Sequence, residues 1–389
     1  MNKNKKYLYN SKKSSKFAPD FDEKHMIYQL IISIPLMVCL FWAIFFTIRA
    51  VQGTTEPRVN TMVMFFYIAT TVLYLDHWMY FSGVLSFAGE WSYGIVNLCV
   101  YPFFYMYLRV LARAKGGREA PWLLVPAGLF AVLFPVLYIF EWSAGKEVLG
   151  VFARICFAAQ VVWVWVRGGR LLRHARRRMD ETYSDYRSEL LRPVNTLLQL
   201  FGFTAVASLV LVVIGREFFI HETEVTIPAI IMSVLLYGLG YVASNTTIPP
   251  EVKGERGSEA RGSEESGLEE KGDDELMRKI DHVMREDKLY RNTSLTIHDL
   301  AAAVNSNRTY VSNCINRTNG QSFSQYVATY RISCAKEILS SDRYASDHDA
   351  IADAVAQSGF LSYQTFYRVF KDSTGTTPLQ YRQKILKKS

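Results

Sequence analysis

At 389 residues the chain has room for two domains, and half of its residues are hydrophobic against 21% charged. Its five cysteines show no CxxC or Cys/His ligand spacing, which argues against a disulfide framework and against a metal centre. The formal charge of +8 gathers in an N-terminal tail and one internal loop, so it does not by itself point to nucleic acid.

The chain opens with a basic tail, residues 1–25, which holds Lys3, Lys5, Lys6, Lys12, Lys13 and Lys16. No small-residue cleavage site follows it, so a removed signal peptide is not expected. Residues 26–247 then read as a helical membrane domain. Seven apolar stretches fill it: Met26 to Ile48, Met62 to Phe87, Tyr93 to Leu111, Trp122 to Phe140, Val148 to Val166, Leu197 to Ile214 and Val225 to Ala243. Each approaches the roughly 20 apolar residues that crossing hydrocarbon requires. Trp91, Trp122, Trp142 and Trp165 fall near the ends of stretches, where amphipathic rings favour the interface.

Positive charge sets the orientation. Arg109, Arg113, Lys115 and Arg118 follow the third stretch, and Arg167, Arg170, Arg173, Arg176, Arg177, Arg178 and Arg187 follow the fifth. The alternate loops hold mostly acidic residues, among them Glu90, Glu141, Glu147, Glu222 and Glu224. Both basic loops are therefore expected on the cytoplasmic side of the membrane, and with seven crossings the C-terminus joins them. The lysine-rich tail conflicts with that count, because it would lie outside. The C-terminus stays inside whether or not the first stretch crosses.

The loops on the outer side are short, so a signal has to be sensed among the helices. Ionisable residues at membrane depth are the candidates: Asp76 with His77, Asn97 and Arg154. Counting along the helices puts Asp76 and Arg154 at similar depths, about 10–15 Å below the outer surface. Opposite charges at matched depth suggest a pair, either a fixed structural one or one that a small or lipophilic ligand, or a proton, opens and closes. No HExxH, GxSxG or P-loop appears, so no enzyme, cofactor or metal is expected.

Residues 248–273 change character. Gly, Ser and Glu dominate with almost no apolar residue, a composition that predicts a disordered linker. Helical periodicity returns in residues 274–389. Leu276, Ile280, Val283, Met284 and Leu289 mark one apolar face. Thr296 then caps a helix whose Leu300, Ala303 and Val304 face a core, and Asn305 to Asn307 make a turn. The next helix turns Tyr310, Val311, Cys314 and Ile315 inward and stops at Gly320. Ser322 with Gln325 forms a capping box for a long helix. The pattern then recurs: Asp349 as a cap, Gly359 in a turn, Ser362 as a cap, Phe366, Val369 and Phe370 inward, Gly375 as the stop and Pro378 opening a last helix.

Two helix-turn-helix units joined by a long helix form a specific pattern. Ile351, Gly359, Phe360, Phe366, Phe370, Lys371, Gly375, Pro378, Tyr381 and Arg382 fall in one register with it. Leu300, Ala301, Tyr310, Ser312, Gly320, Phe323, Tyr326, Arg331, Ala335 and Leu339 do the same for the first unit. On these residues the last 110 or so positions resemble the DNA-binding domain of the AraC/XylS family of bacterial transcription regulators. Ile315-Asn316 and Ala354-Val355 depart from the family's usual Phe-Lys and Ile-Ala. The resemblance implies double-stranded DNA as partner, with RNA polymerase and a second copy of the chain as further expected partners. Base edges would be read by Arg308, Thr309, Ser312, Asn313 and Asn316 of the first unit and by Tyr363, Gln364, Tyr367 and Arg368 of the second. Arg317 and Lys371 would meet phosphates. The expected protein is all-α, a membrane-bound one-component regulator. A transporter or channel with a regulatory DNA-binding tail is the alternative, although no pair of matching broken helices supports it.

Overall fold

A computed structural model describes residues 23–53, 57–81, 87–112, 121–185, 190–214, 222–245, 269–344 and 346–387. The basic tail as far as residue 22, the linker as far as residue 268, and Arg113, Lys115, Arg118 and Arg187 lie outside these residues. The chain is all-α, with fourteen helices and no β-strand among the described residues. It divides into two compact units. One holds residues 1–110, 115–166 and 197–245, and the other holds 111–114, 167–196 and 246–389.

The first unit is built from α1 (Glu23–Val51), α2 (Pro57–Phe81), α3 (Phe87–Leu111), α4 (Val125–Ile139), most of α5 (Ser143–Thr182), α6 (Arg192–Ile214) and α7 (Glu222–Asn245). Among the described residues six helices are long and apolar enough to cross a membrane: α1 to α5 and α7, with a short 3-10 turn opening the fourth span. The expected sixth stretch is helical as α6, but the side chains of residues 204–214 lie outside the described set. One boundary is corrected. The second stretch was expected to reach Phe87, whereas α2 ends at Phe81 and Phe87 opens α3.

Packing inside this unit is aromatic and lightly polar. Phe46 and Tyr67 stack with centroids 6.0 Å apart, beside Trp42. Tyr67 Oη donates to Leu236 O at 2.7 Å, and Arg49 Nη1 donates to Ser244 O at 3.0 Å, so α7 is fastened to α2 and to α1. Trp91 Nε1 joins α3 to α4 by donating to Ala131 O. Leu30, Met37, Phe41, Ile44 and Ile48 of α1 are exposed, an outward apolar surface that suits lipid and not water. With 40 residues α5 is about 60 Å long, roughly twice the hydrocarbon thickness.

The second unit contains the end of α5, the start of α6, and α8 (Glu269–Arg285), α9 (Ile297–Ala303), α10 (Arg308–Asn319), α11 (Phe323–Leu339), α12 (Asp347–Ser358), α13 (Tyr363–Thr374) and α14 (Pro378–Leu386). α8 begins inside the stretch read as linker. Its Ile280 and Met284 are fully buried, as the periodicity predicts. One core runs through these helices, with Val311, Cys314, Val327, Ala335, Leu339, Ala354, Phe366 and Phe370 all inaccessible.

Local chemistry sets the helix ends. Thr296, Asn307, Ser322, Ser346, Ser362 and Thr377 each accept the N–H three residues on, opening α9 to α14 in turn. The cap of α12 is thus Ser346. Asp349, expected there, sits three residues on with its carboxylate accepting from Ser346 Oγ at 2.7 Å. Gly320, Gly359 and Gly375 close α10, α12 and α13 with positive φ. At Gly359 space is short as well. A Cβ there would lie 2.5 Å from Tyr290 O and 2.7 Å from Arg291 Cα. Gly359→Ala is therefore expected to cost about 2–3 kcal/mol in urea unfolding of the micelle-held chain. Wild-type stability in that variant would remove the steric argument.

Candidate nucleic-acid interface

The two helix-turn-helix units are α9 with α10 and α12 with α13, and α11 links them. In the first, Ile297, Leu300, Ala301 and Val304 are the buried residues of α9 and its C-cap, whereas Ala303, expected in the core, is exposed. Asn305 takes φ of 55° in the turn, a conformation asparagine tolerates better than most residues. α10 buries Val311, Cys314 and Ile315. Thr309, Asn313, Asn316 and Arg317 are exposed on its other side, and Arg308 and Ser312 are half-buried. Tyr310 was expected inside but is 55% exposed. It belongs to the first turn of α10, ahead of the core, and joins the candidate contact residues. Arg317 Nη1 lies 3.5 Å from Asp273 Oδ2 at the surface, an exchangeable pair worth at most about 1 kcal/mol.

In the second unit Phe366 and Phe370 are inaccessible, and Val369 is nearly so. They pack on Phe360 and Tyr381, with centroids 5.4 and 5.3 Å apart. Gln364 and Lys371 are exposed, Tyr363 is 52% exposed, and Tyr367 and Arg368 are half-buried. Tyr363 and Tyr367 stack at 6.0 Å along the outer edge of α13. Polar, aromatic and cationic side chains thus share the outward faces of α10 and α13, as major-groove readout requires.

What holds these faces in place is polar. Arg382 of α14 is only 3% exposed. It donates Nε to Asp347 Oδ1 at 2.9 Å, and Nη1 to Leu339 O at 3.0 Å and Ser341 O at 2.9 Å. Those bonds tie α14 to the end of α11 and the start of α12. Asp281 of α8 accepts from Tyr326 Oη at 2.6 Å and from Tyr330 Oη on α11, and burial pushes both phenols above their ordinary pKa. A hydrogen bond from Tyr344 holds the Asp353 carboxyl below the usual carboxylate range.

The candidate sensor residues lie in the first unit. Asp76 on α2 is buried, and Ser92 Oγ on α3 donates to both its oxygens at 2.9 and 2.8 Å. His77 Nδ1 lies 2.8 Å from Leu73 O, with its ring against Tyr74 and Tyr93. Asn97 is half-buried on α3. Arg154 is exposed on α5 and is not the partner of Asp76. Residue counting gave the depth of each group but not the side of the helix on which it stands.

The family model described as "Helix-turn-helix domain" matches residues 300–384, so the C-terminal region is a helix-turn-helix domain of the AraC type. The same region is 34% identical over 91 residues to the Bacillus subtilis protein named "Uncharacterized HTH-type transcriptional regulator YtdP". It is 33% identical over 91 residues to the Escherichia coli "Melibiose operon regulatory protein". These matches cover 23% of this chain, 11% of the first relative and 28% of the second. No solved structure matches the chain.

The two faces of α13 predict different costs. Phe366→Ala should lower unfolding free energy by about 3–5 kcal/mol, and Gln364→Ala should stay within about 0.5 kcal/mol. Equal losses in denaturant titration would mean that Gln364 belongs to the core.

Proposed function

We propose that the chain is a membrane-bound transcription regulator that reads double-stranded DNA through α10 and α13. The observation that carries this reading is the pair of outward polar helix faces in a domain whose relatives are transcription regulators, within a chain that holds six spans long and apolar enough for a bilayer. Two recognition helices in consecutive major grooves should protect two DNA faces about one helical turn apart. Gln364→Ala should weaken binding by about 1–3 kcal/mol at one or two base positions. Lys371→Ala should weaken binding on every sequence and flatten the salt dependence. Footprinting with the micelle-held chain checks all three. A chain with no preference for any genomic fragment at moderate salt removes the proposal.

In this reading the anchored C-terminal domain lies in the cytoplasm, and sensing falls to the helices around Asp76. The support is the positive charge at the end of α5 and the burial of Asp76 against Ser92. One series of strains tests both parts. A periplasm-active reporter should be active when fused after Glu147 or Glu222 and silent after Arg177, and Asp76→Asn should change promoter output at unchanged protein level. Activity at Arg177 reverses the orientation, and unchanged output clears Asp76 of a sensing role.

A further inference from the structure

The end of α5 enters the same compact unit as the helix-turn-helix domain, and its contacts there are specific. Beyond Thr182 the chain bends out of the helix at Ser184 and Asp185. Tyr183 forms an antiparallel bridge with Thr296, and Ser184 N donates to Leu295 O at 3.1 Å. Ser184 is inaccessible. It faces Arg331 of α11, whose side chain is also inaccessible. Arg331 donates Nε to Tyr290 O at 2.8 Å and Nη2 to Asn292 O at 2.8 Å, both within the C-terminal domain. Two more bonds leave that domain: Nη1 to Ser184 O and Nη2 to Ser184 Oγ, each 2.9 Å. A buried guanidinium left short of acceptors is unfavourable, so Ser184 completes a charged site and is more than a passing neighbour.

The docked segment also brings α5 up to a recognition helix. A recess of about 490 Å3 is lined by Arg176 and Asp180 of α5, by Arg368 and Asp372 of α13, and by the start of α11. A major groove about 12 Å wide admits one helix, with a phosphate strand along each flank. Across this recess α5 faces the Arg368 edge of α13, the side on which one of those strands would approach. We infer that the Ser184–Arg331 contact is an autoinhibitory clamp. Docked, it holds α5 against the edge of α13 and restrains DNA binding. Released, by a shift of α5, it frees that edge.

The inference rests on the DNA-reading role proposed above, and one preparation separates the two. In the full chain in membrane vesicles, Tyr183→Cys with Thr296→Cys places two thiols at the antiparallel bridge, where opposed Cβ atoms approach disulfide range. Oxidation should join the two introduced thiols, detected by peptide mass spectrometry. It should lower retention of a genomic fragment that the reduced sample holds by at least about fivefold, reversed by reductant. The reduced sample carries the same loss of the α9 cap and is its own control. Each single-cysteine variant, oxidised alike, should keep its retention. Ser184→Trp, too large for its site, should raise retention above wild type. A disulfide that forms without lowering retention, a pair that never joins, or a Ser184→Trp chain that binds no better each overturns the clamp. A chain that retains no DNA in either redox state overturns the DNA-reading role and the clamp together.

Discussion

A buried guanidinium needs an acceptor for nearly every N–H it carries, and the C-terminal unit is organised around two of them. Arg382 gathers the end of α11, the loop after it and the start of α12 onto α14. Arg331 gathers the backbone before α9 and the segment after α5 onto α11. Each positive charge is stable inside only if several separate chain segments arrive together. The hydrophobic core is permissive about small shifts, whereas these donors fix where helix ends meet. The relative angle of α10 and α13, on which the proposed reading of two grooves depends, therefore rests on polar geometry as well as on Phe366 and Phe370.

The first unit meets the same demand in another way. Its candidate spans satisfy their backbone within each helix, as any segment in hydrocarbon must. Several hydroxyls do the same. Thr47, Thr71 and Ser233 each donate to the carbonyl four residues back, so their polarity is spent on their own helix. The bonds that cross between helices run from a side chain to a backbone carbonyl, as from Tyr67 to Leu236, or between side chains, as from Ser92 to Asp76. Leu124, at the N-cap of α4, offers no side-chain acceptor, whereas α9 to α14 all have one.

That contrast explains how much could be read from the sequence. Capping is a relation across three residues, so Thr296, Ser322 and Ser362 were legible, as was the need for Gly359. Ser346 was missed because Asp349 is an equally good cap in isolation, and only the true start of α12 chooses between them. Tyr310 was turned inward because aromatic residues usually bury, but it precedes the first buried turn of α10. The partner of Asp76 was missed for a related reason. Counting residues gives height along a helix, and the neighbour across the gap depends on rotation, which put Ser92 there. Nothing local marks Ser184, a serine in a short polar stretch whose counterpart is 147 residues away.

That separation also orders events in time. The caps of α9 to α14 let those helices start from adjacent residues, and helix formation is fast. The contact between Ser184 and Arg331 instead closes a long stretch of chain, and such contacts form late. During synthesis α5 emerges well before α11 exists, so the Ser184 carbonyl waits in water until the C-terminal helices are complete. The order of synthesis thus makes this contact one of the last that the C-terminal unit can close, and the burial of Arg331 has to wait for a segment made long before it.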